Sequence, residues 1–164
     1  MAIYLRVSLT RHLIRQMRLI ELAQRVLLAA GESRSELSLE LIGDRRMRRL
    51  NLDFRKRDRT TDVLAFPTRE AIMPTGLSGP TGLLGDVVIS LPRAIRQAGE
   101  AGRSVDDELA TLLVHGVLHL CGYDHERSVQ EAERMSRRER VVMRRISPIP
   151  HIVTLRTGRR RRGN

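Results

Sequence analysis

The sequence has no tryptophan, two phenylalanines and two tyrosines. Its core cannot rest on large rings, so Leu, Ile, Val, Ala and Met must fill it. So few aromatics also speak against a single-strand nucleic-acid binder built on stacking platforms. A single cysteine, Cys121, excludes an internal disulfide and fits a reducing compartment. No apolar run approaches the ~20 residues that a bilayer span needs. The start, Met1 to Leu9, lacks a charged region followed by an apolar stretch and a small-residue cleavage site, so we read no secretory signal. These absences together lead us to expect a cytoplasmic protein without membrane association. Lysine is almost missing as well: Lys56 is the only one among 30 basic residues.

What is present is one domain's worth of apolar sequence. The chain has 164 residues, 41% of them hydrophobic, too much for disorder and too short for two comfortable domains. The formal net charge is +11, with a pI near 11.4. That balance favours a polyanionic partner, nucleic acid before membrane, although an arginine-biased composition would give the same balance with no partner at all.

Along the chain, Ala2 to Ser8 reads as a first strand. Thr10 is a candidate N-cap for a long amphipathic helix with Leu13, Met17, Ile20, Leu22, Val26 and Leu27 inward, closed by Gly31. Leu37, Leu39 and Leu41 give a strand with one better-buried face. Gly43 and Asp44 open a short helix through Met47 and Leu50. Arg55 to Thr61 is polar and charged and reads as a loop. Val63 to Phe66 is a short strand stopped by Pro67, and Thr68 to Gly82 a flexible surface loop. Leu83 to Leu91 is a strongly apolar strand, and Pro92 fits the first turn of the next helix. Ser104 with Asp107 starts a helix that is apolar nearly all round, the expected central buried helix, ended by Gly122. A charged helix follows from Glu126 to about Ile146, with Val129, Ala132, Met135 and Val142 inward. Residues 1–150 are thus expected to form the domain, and 151–164 a basic, disordered tail. The order of elements suggests a mixed α/β sandwich with one sheet.

Three of the five histidines lie in eleven residues, His115-Gly-Val-Leu-His119-Leu-Cys-Gly-Tyr-Asp-His125. His115 and His119 share one helix face, ~6 Å apart at Cβ. Both imidazoles can then reach one ion at about 2.0–2.1 Å. Gly122 breaks the helix and lets His125 approach from the side. Three neutral imidazoles with one open position have the composition of a catalytic zinc site, so one Zn2+ per chain is expected. The spacing matches the zinc-protease pattern H-E-x-x-H-x-x-G-x-x-H at each His and at the Gly. It departs where that pattern carries its general base: Gly116 stands in place of Glu, which puts peptide hydrolysis in doubt. Asp86, in Gly85-Asp86-Val-Val-Ile-Ser90, needs a partner if buried; orienting a ligating His, or a structural hydrogen bond, are its expected roles.

The stretch His115 to His125 meets the pattern H-G-x-L-H-L-x-G-Y-D-H in full. Asn51 to Pro67 meets N-x-x-[YF]-R-x-x-D-x-x-T-[DN]-V-L-x-F-P, and Gly85 opens G-D-[VIL]-x-I. In these motifs the chain resembles the YbeY family of bacterial endoribonucleases, from about Ala2 to Ile146. The resemblance implies a single α+β domain, one mixed β-sheet packed with helices and a metzincin-like zinc helix. It implies His115, His119 and His125 as zinc ligands and Arg55 as the functionally important arginine near the metal. It further implies a single-strand-specific endoribonuclease acting on ribosomal RNA precursors, in maturation of the small-subunit 3′ end and ribosome quality control, with the small subunit as partner. Asp124, Glu126, the substrate phosphate or the ribose hydroxyl remain open as general base. A ribosome-assembly factor with a structural zinc, or a metallohydrolase of amide or ester bonds, are the alternatives.

Overall fold

In the computed structural model, which describes residues 1–68 and 82–156, alternation and capping signals act largely as the sequence suggests. Ile3–Val7 forms β1, and Glu36–Ile42 forms β3 with Leu37, Leu39 and Leu41 fully buried. Val63–Pro67 forms β4 and Leu83–Ser90 forms β5. These strands make one mixed sheet in the order β1-β3-β5-β4. β1, β3 and β5 run parallel, and the outer strand β4 runs antiparallel to β5, with Val63 opposite Ile89. β5 lies inside the sheet, and six of its eight residues are buried.

Five helices cover the sheet: α1 (Gln16–Ala29), α2 (Asp44–Arg55), α3 (Leu91–Ala101), α4 (Val105–Leu120) and α5 (Val129–Ile146). One face of the sheet carries the main core, to which α1, α3, α4 and α5 all contribute. The other face carries a smaller cluster, Ile42, Met47, Leu64 and Val88, closed by α2. α4 is the central helix, with ten of its sixteen residues buried. Ser104 caps it by accepting from the Asp107 N–H at 3.0 Å, and its first turn carries Asp106, Asp107 and Glu108 against the positive end of the helix dipole. The expected single α+β domain on one mixed sheet is what forms. No helix among the described residues is long and apolar enough to cross a membrane.

Four expectations need correction. The first helix does not start at Thr10. Leu13–Ile14 instead forms a short strand, β2, antiparallel to Val153–Thr154 (β6), and α1 begins at Gln16. Leu13 and Met17, expected inward, are exposed, Met17 at 68%. The second helix runs on to Arg55 rather than ending near Leu50, so Arg55 belongs to a helical turn and not to a loop. The last helix starts at Val129, capped by Ser128, and Val129 faces solvent at 71% exposure. Finally, the domain does not stop at 150. Ile152 and Val153 are buried in the main core, and Asp106 accepts both their backbone N–H groups at 2.9 and 2.8 Å. Residues 151–156 are therefore part of the fold. The expected loop at 69–81 and the arginine run at 157–164 lie outside the described residues.

Candidate metal centre

The metal-ligating pattern depends on how α4 ends. Gly122 sits at φ +97°, where a side chain is strained. This left-handed residue lets the Tyr123 N–H reach the Leu118 carbonyl at 3.2 Å and the Gly122 N–H reach the His119 carbonyl at 3.0 Å, the paired bonds of a Schellman cap. The chain reverses, and His125 arrives beside the helix that carries His115 and His119.

All three histidines line one cavity of about 370 Å³, together with Phe54, Arg55, Gly116, Asp124, Glu126 and the strand β4. His115 holds its Nδ1 at 3.2 Å from the Glu139 carboxylate. His119 holds its Nδ1 at 3.0 Å from the Tyr123 backbone carbonyl. A carbonyl and a carboxylate only accept, so each Nδ1 carries a proton, and it is Nε2 of the neutral ring that can bind a metal. That is the arrangement by which ligating histidines are oriented at metal sites. The rings of His115 and His125 lie 5.1 Å apart between centroids. Two imidazoles sharing one tetrahedral ion at about 2.0–2.1 Å would stand about 5 Å apart, so this pair fits a common zinc. The full set is less closed: among the described residues no three His, Cys, Asp or Glu side chains converge tightly enough to clasp an ion as they lie. Hydrogen bonds hold His115 and His119 at Nδ1, whereas His125 is half-exposed and is the ring with room to turn toward them. The donor chemistry fits zinc.

Arg55 joins the same cavity from the opposite side of the groove. α2 ends there because Lys56 adopts φ 58°, the left-handed cap. Its guanidinium lies 3.3 Å from the Glu126 carboxylate. Both partners are substantially exposed, so this pair is weak and a phosphate can displace the carboxylate. Several polar residues of the Asn51-to-Pro67 motif brace its loop. Buried Asn51 donates from Nδ2 to the Arg59 carbonyl at 2.9 Å. Asp58 takes two bonds from Arg48. Asp62 accepts from the Val63 N–H at 2.7 Å and from Gln97 at 3.2 Å. These bonds fix the loop so that Arg55 and β4 keep their places.

Asp86 does not orient a histidine. Its neighbour Val87 faces α4, so by strand alternation Asp86 and Val88 face the α2 side. The orienting groups are Glu139 on α5 and the Tyr123 carbonyl, and the sequence marked neither: Glu139 reads as one more charge on a solvated helix. Gly116 also acquires a reason. A Cβ there would meet Val87 Cγ1 at 2.7 Å and Cγ2 at 3.1 Å, so α4 lies almost directly on β5. Glycine at 116 is thus a packing requirement of the sheet, and a glutamate has no room there. Asp124 accepts the Glu126 backbone N–H at 2.9 Å, and this bond holds its carboxyl below the usual carboxylate range; partial burial opposes the lowering, while His119, Arg127 and His125 add to it.

Comparison with known proteins gives the same grouping. A family profile described as Endoribonuclease YbeY matches residues 7–147. The chain is 39% identical over 141 residues to Endoribonuclease YbeY of Aquifex aeolicus, covering 86% of this chain and 90% of that one. It is 44% identical over 133 residues to the Geobacter metallireducens protein of the same name, covering 80% and 87%. Against the Myxococcus xanthus protein of that name, identity reaches 54% over 101 residues, 62% of this chain but only 33% of the relative; for the Anaeromyxobacter protein the share is 55%. The chain therefore spans a third to about half the length of some curated relatives it matches. The solution structure of TM1509 from Thermotoga maritima superposes with a TM-score of 0.58 over 88% of each chain at 23% identity, a likeness of fold.

Proposed function

The chain belongs to the YbeY family of endoribonucleases, and from that membership we propose that it is a zinc-dependent, single-strand-specific endoribonuclease acting on ribosomal RNA precursors. The observation that carries this reading is the gathering of His115, His119, His125 and Arg55 around one open cavity. His115, His119 and His125 would hold the metal, the first two oriented by Glu139 and by the Tyr123 carbonyl. Zinc so held supplies Lewis acidity for phosphodiester hydrolysis. Arg55 exchanges Glu126 for the scissile phosphate and balances the charge that develops on it. Asp124 and Glu126 are the two carboxylates that line the cavity, and either would serve as the proton acceptor. Hydrolysis of an amide fits less well, since no carboxylate can stand at 116.

Maturation of the small-subunit RNA 3′ end and ribosome quality control, with the small subunit as partner, follow from the same membership as the biological setting. The deciding experiment incubates metal-defined protein with precursor ribosomal RNA. Wild type should cut it, His115→Ala and Arg55→Ala should not, and elemental analysis should find about one zinc per chain, lost when all three histidines become Ala. Cleavage that survives both single substitutions, or equal zinc in wild type and triple variant, overturns the reading.

A further inference from the structure

The sequence holds two phenylalanines, and the fold brings both to the rim of the same cavity. Phe54 lies on the last turn of α2, next to Arg55, and Phe66 lies on β4. Their ring centroids are 5.0 Å apart with a 60° tilt, the offset geometry that aromatic pairs prefer. Phe66 is half-buried and belongs to the small cluster beneath α2. Phe54 is not: it is 65% exposed. An apolar ring left mostly open to water makes little contribution to folding. It stands between a guanidinium and the open groove along β4, on a chain of net charge +11.

We propose that the exposed face of Phe54, braced by Phe66, stacks a nucleobase of the RNA strand whose phosphate Arg55 holds. The proposal rests on the endoribonuclease reading above and adds the residue that selects single strands. Every nucleobase offers a π-face, so such a platform is tolerant of sequence. Only an unpaired base offers it freely, because in a duplex both faces are already stacked on neighbours. Few aromatics speak against a multi-ring stacking platform, but one well-placed ring suffices for one base. Adjacency in sequence makes the pairing mechanical: Phe54 and Arg55 share a helical turn fixed by the Lys56 cap, so base and phosphate are gripped by one rigid element.

The test uses the full chain and a short 2′-O-methyl oligoribonucleotide carrying 2-aminopurine, whose fluorescence falls when its base stacks. Wild type should quench the probe. Phe54→Leu, which keeps apolar contact with Phe66 but has no ring, should weaken binding about tenfold and remove most of the quenching. Phe54→Trp should restore both. An oligomer with abasic positions, and a fully paired duplex, should bind Phe54→Leu as they bind wild type, and thermal unfolding of the variants should be unchanged. Equal binding and quenching by wild type and Phe54→Leu overturns the stacking role while leaving the nuclease reading intact if RNA is still cut. An equal loss for the abasic oligomer overturns it too, because the ring would then act on the backbone. Wild type that neither binds nor cuts RNA removes the nuclease reading itself.

Discussion

Gly116 to Ala is the substitution that best tests how the site is built. In an ordinary helix this change stabilises, by up to ~1 kcal/mol, through helix propensity. Here the new methyl would meet Val87 Cγ1 at 2.7 Å and Cγ2 at 3.1 Å, with Val63 Cγ2 at an ordinary 3.4 Å. Carbon atoms pack best at roughly 3.5–4.0 Å, so α4 must lift from β5 or Val87 must leave its rotamer. Overpacking of this kind costs about 1–3 kcal/mol. After the propensity gain, a net loss of up to about 2 kcal/mol is expected, which for a domain of this size lowers the melting temperature by up to roughly 8 °C. The offending atoms belong to one side chain, so the effect can be isolated. Val87→Ala alone should cost about 2 kcal/mol from the cavity it opens. Adding Gly116→Ala to it should then raise stability, because the clash is gone and the propensity gain remains. The two substitutions should couple by about 1–3 kcal/mol, within the range seen for residues in contact. Urea unfolding followed by circular dichroism, in chelator so that metal binding does not enter, measures all four corners of the cycle. Additive effects, or Gly116→Ala at least as stable as wild type, would refute the close approach of α4 to β5. Gly116→Glu should unfold more readily still and acquire no proteolysis of casein.

Further perturbations test the hydrogen bonds, the basic C-terminal residues and the core. Glu139→Ala should weaken zinc affinity by about 10–100-fold, as loss of a ligand-orienting group does, while Glu139→Gln keeps an acceptor for His115 Nδ1 and loses less; competition with a colorimetric chelator reads both. Asp44 receives Arg96, Ser90 and Thr60, and the Arg96 bond above all holds its carboxyl below the usual range, against partial burial. Because its folded pKa is the lower one, its contribution is complete above the unfolded value near ~3.9 and is lost as pH falls through the folded value. Asp44→Asn should therefore cost stability at neutral pH, with the gap to wild type closing in acid, as urea midpoints across pH 2–6 would record. Deleting residues 157–164 should reduce RNA affinity at low salt and flatten its salt dependence without moving the cleavage sites. Deleting 151–164 should in addition destabilise the fold, since Ile152 and Val153 leave the core; an unchanged melting temperature would contradict that packing.

The chemistry of the site was written locally. Histidines four apart on an apolar stretch share a helix face, and the glycine three residues after the second ends that helix, so the meeting of His115, His119 and His125 at one cavity was legible from spacing. The Ser104 cap, the buried strand at β5 and the apolar α4 are equally short-range, governed by periodicities of two and 3.6 residues. What the sequence does not state is which distant groups meet. Leu13 carries the apolar period of a helix, yet it pairs with Thr154 across the molecule. Asp86 had the composition of an orienting carboxylate, but the side of the sheet it faces is set by strand alternation, and Glu139, 24 residues from His115, takes that role. Arg55 looked like part of a charged loop until the Lys56 cap placed it on a helix facing Glu126, 71 residues away. Gly116 read as the loss of a catalytic carboxylate, whereas the contact with Val87 shows it as the gap that lets helix meet sheet. Phe54 and Phe66 become a pair only when α2 closes over β4. Periodicity fixes which face of each element is apolar; only the packing of elements against one another decides what each face meets, because such contacts depend on residues far apart in the chain.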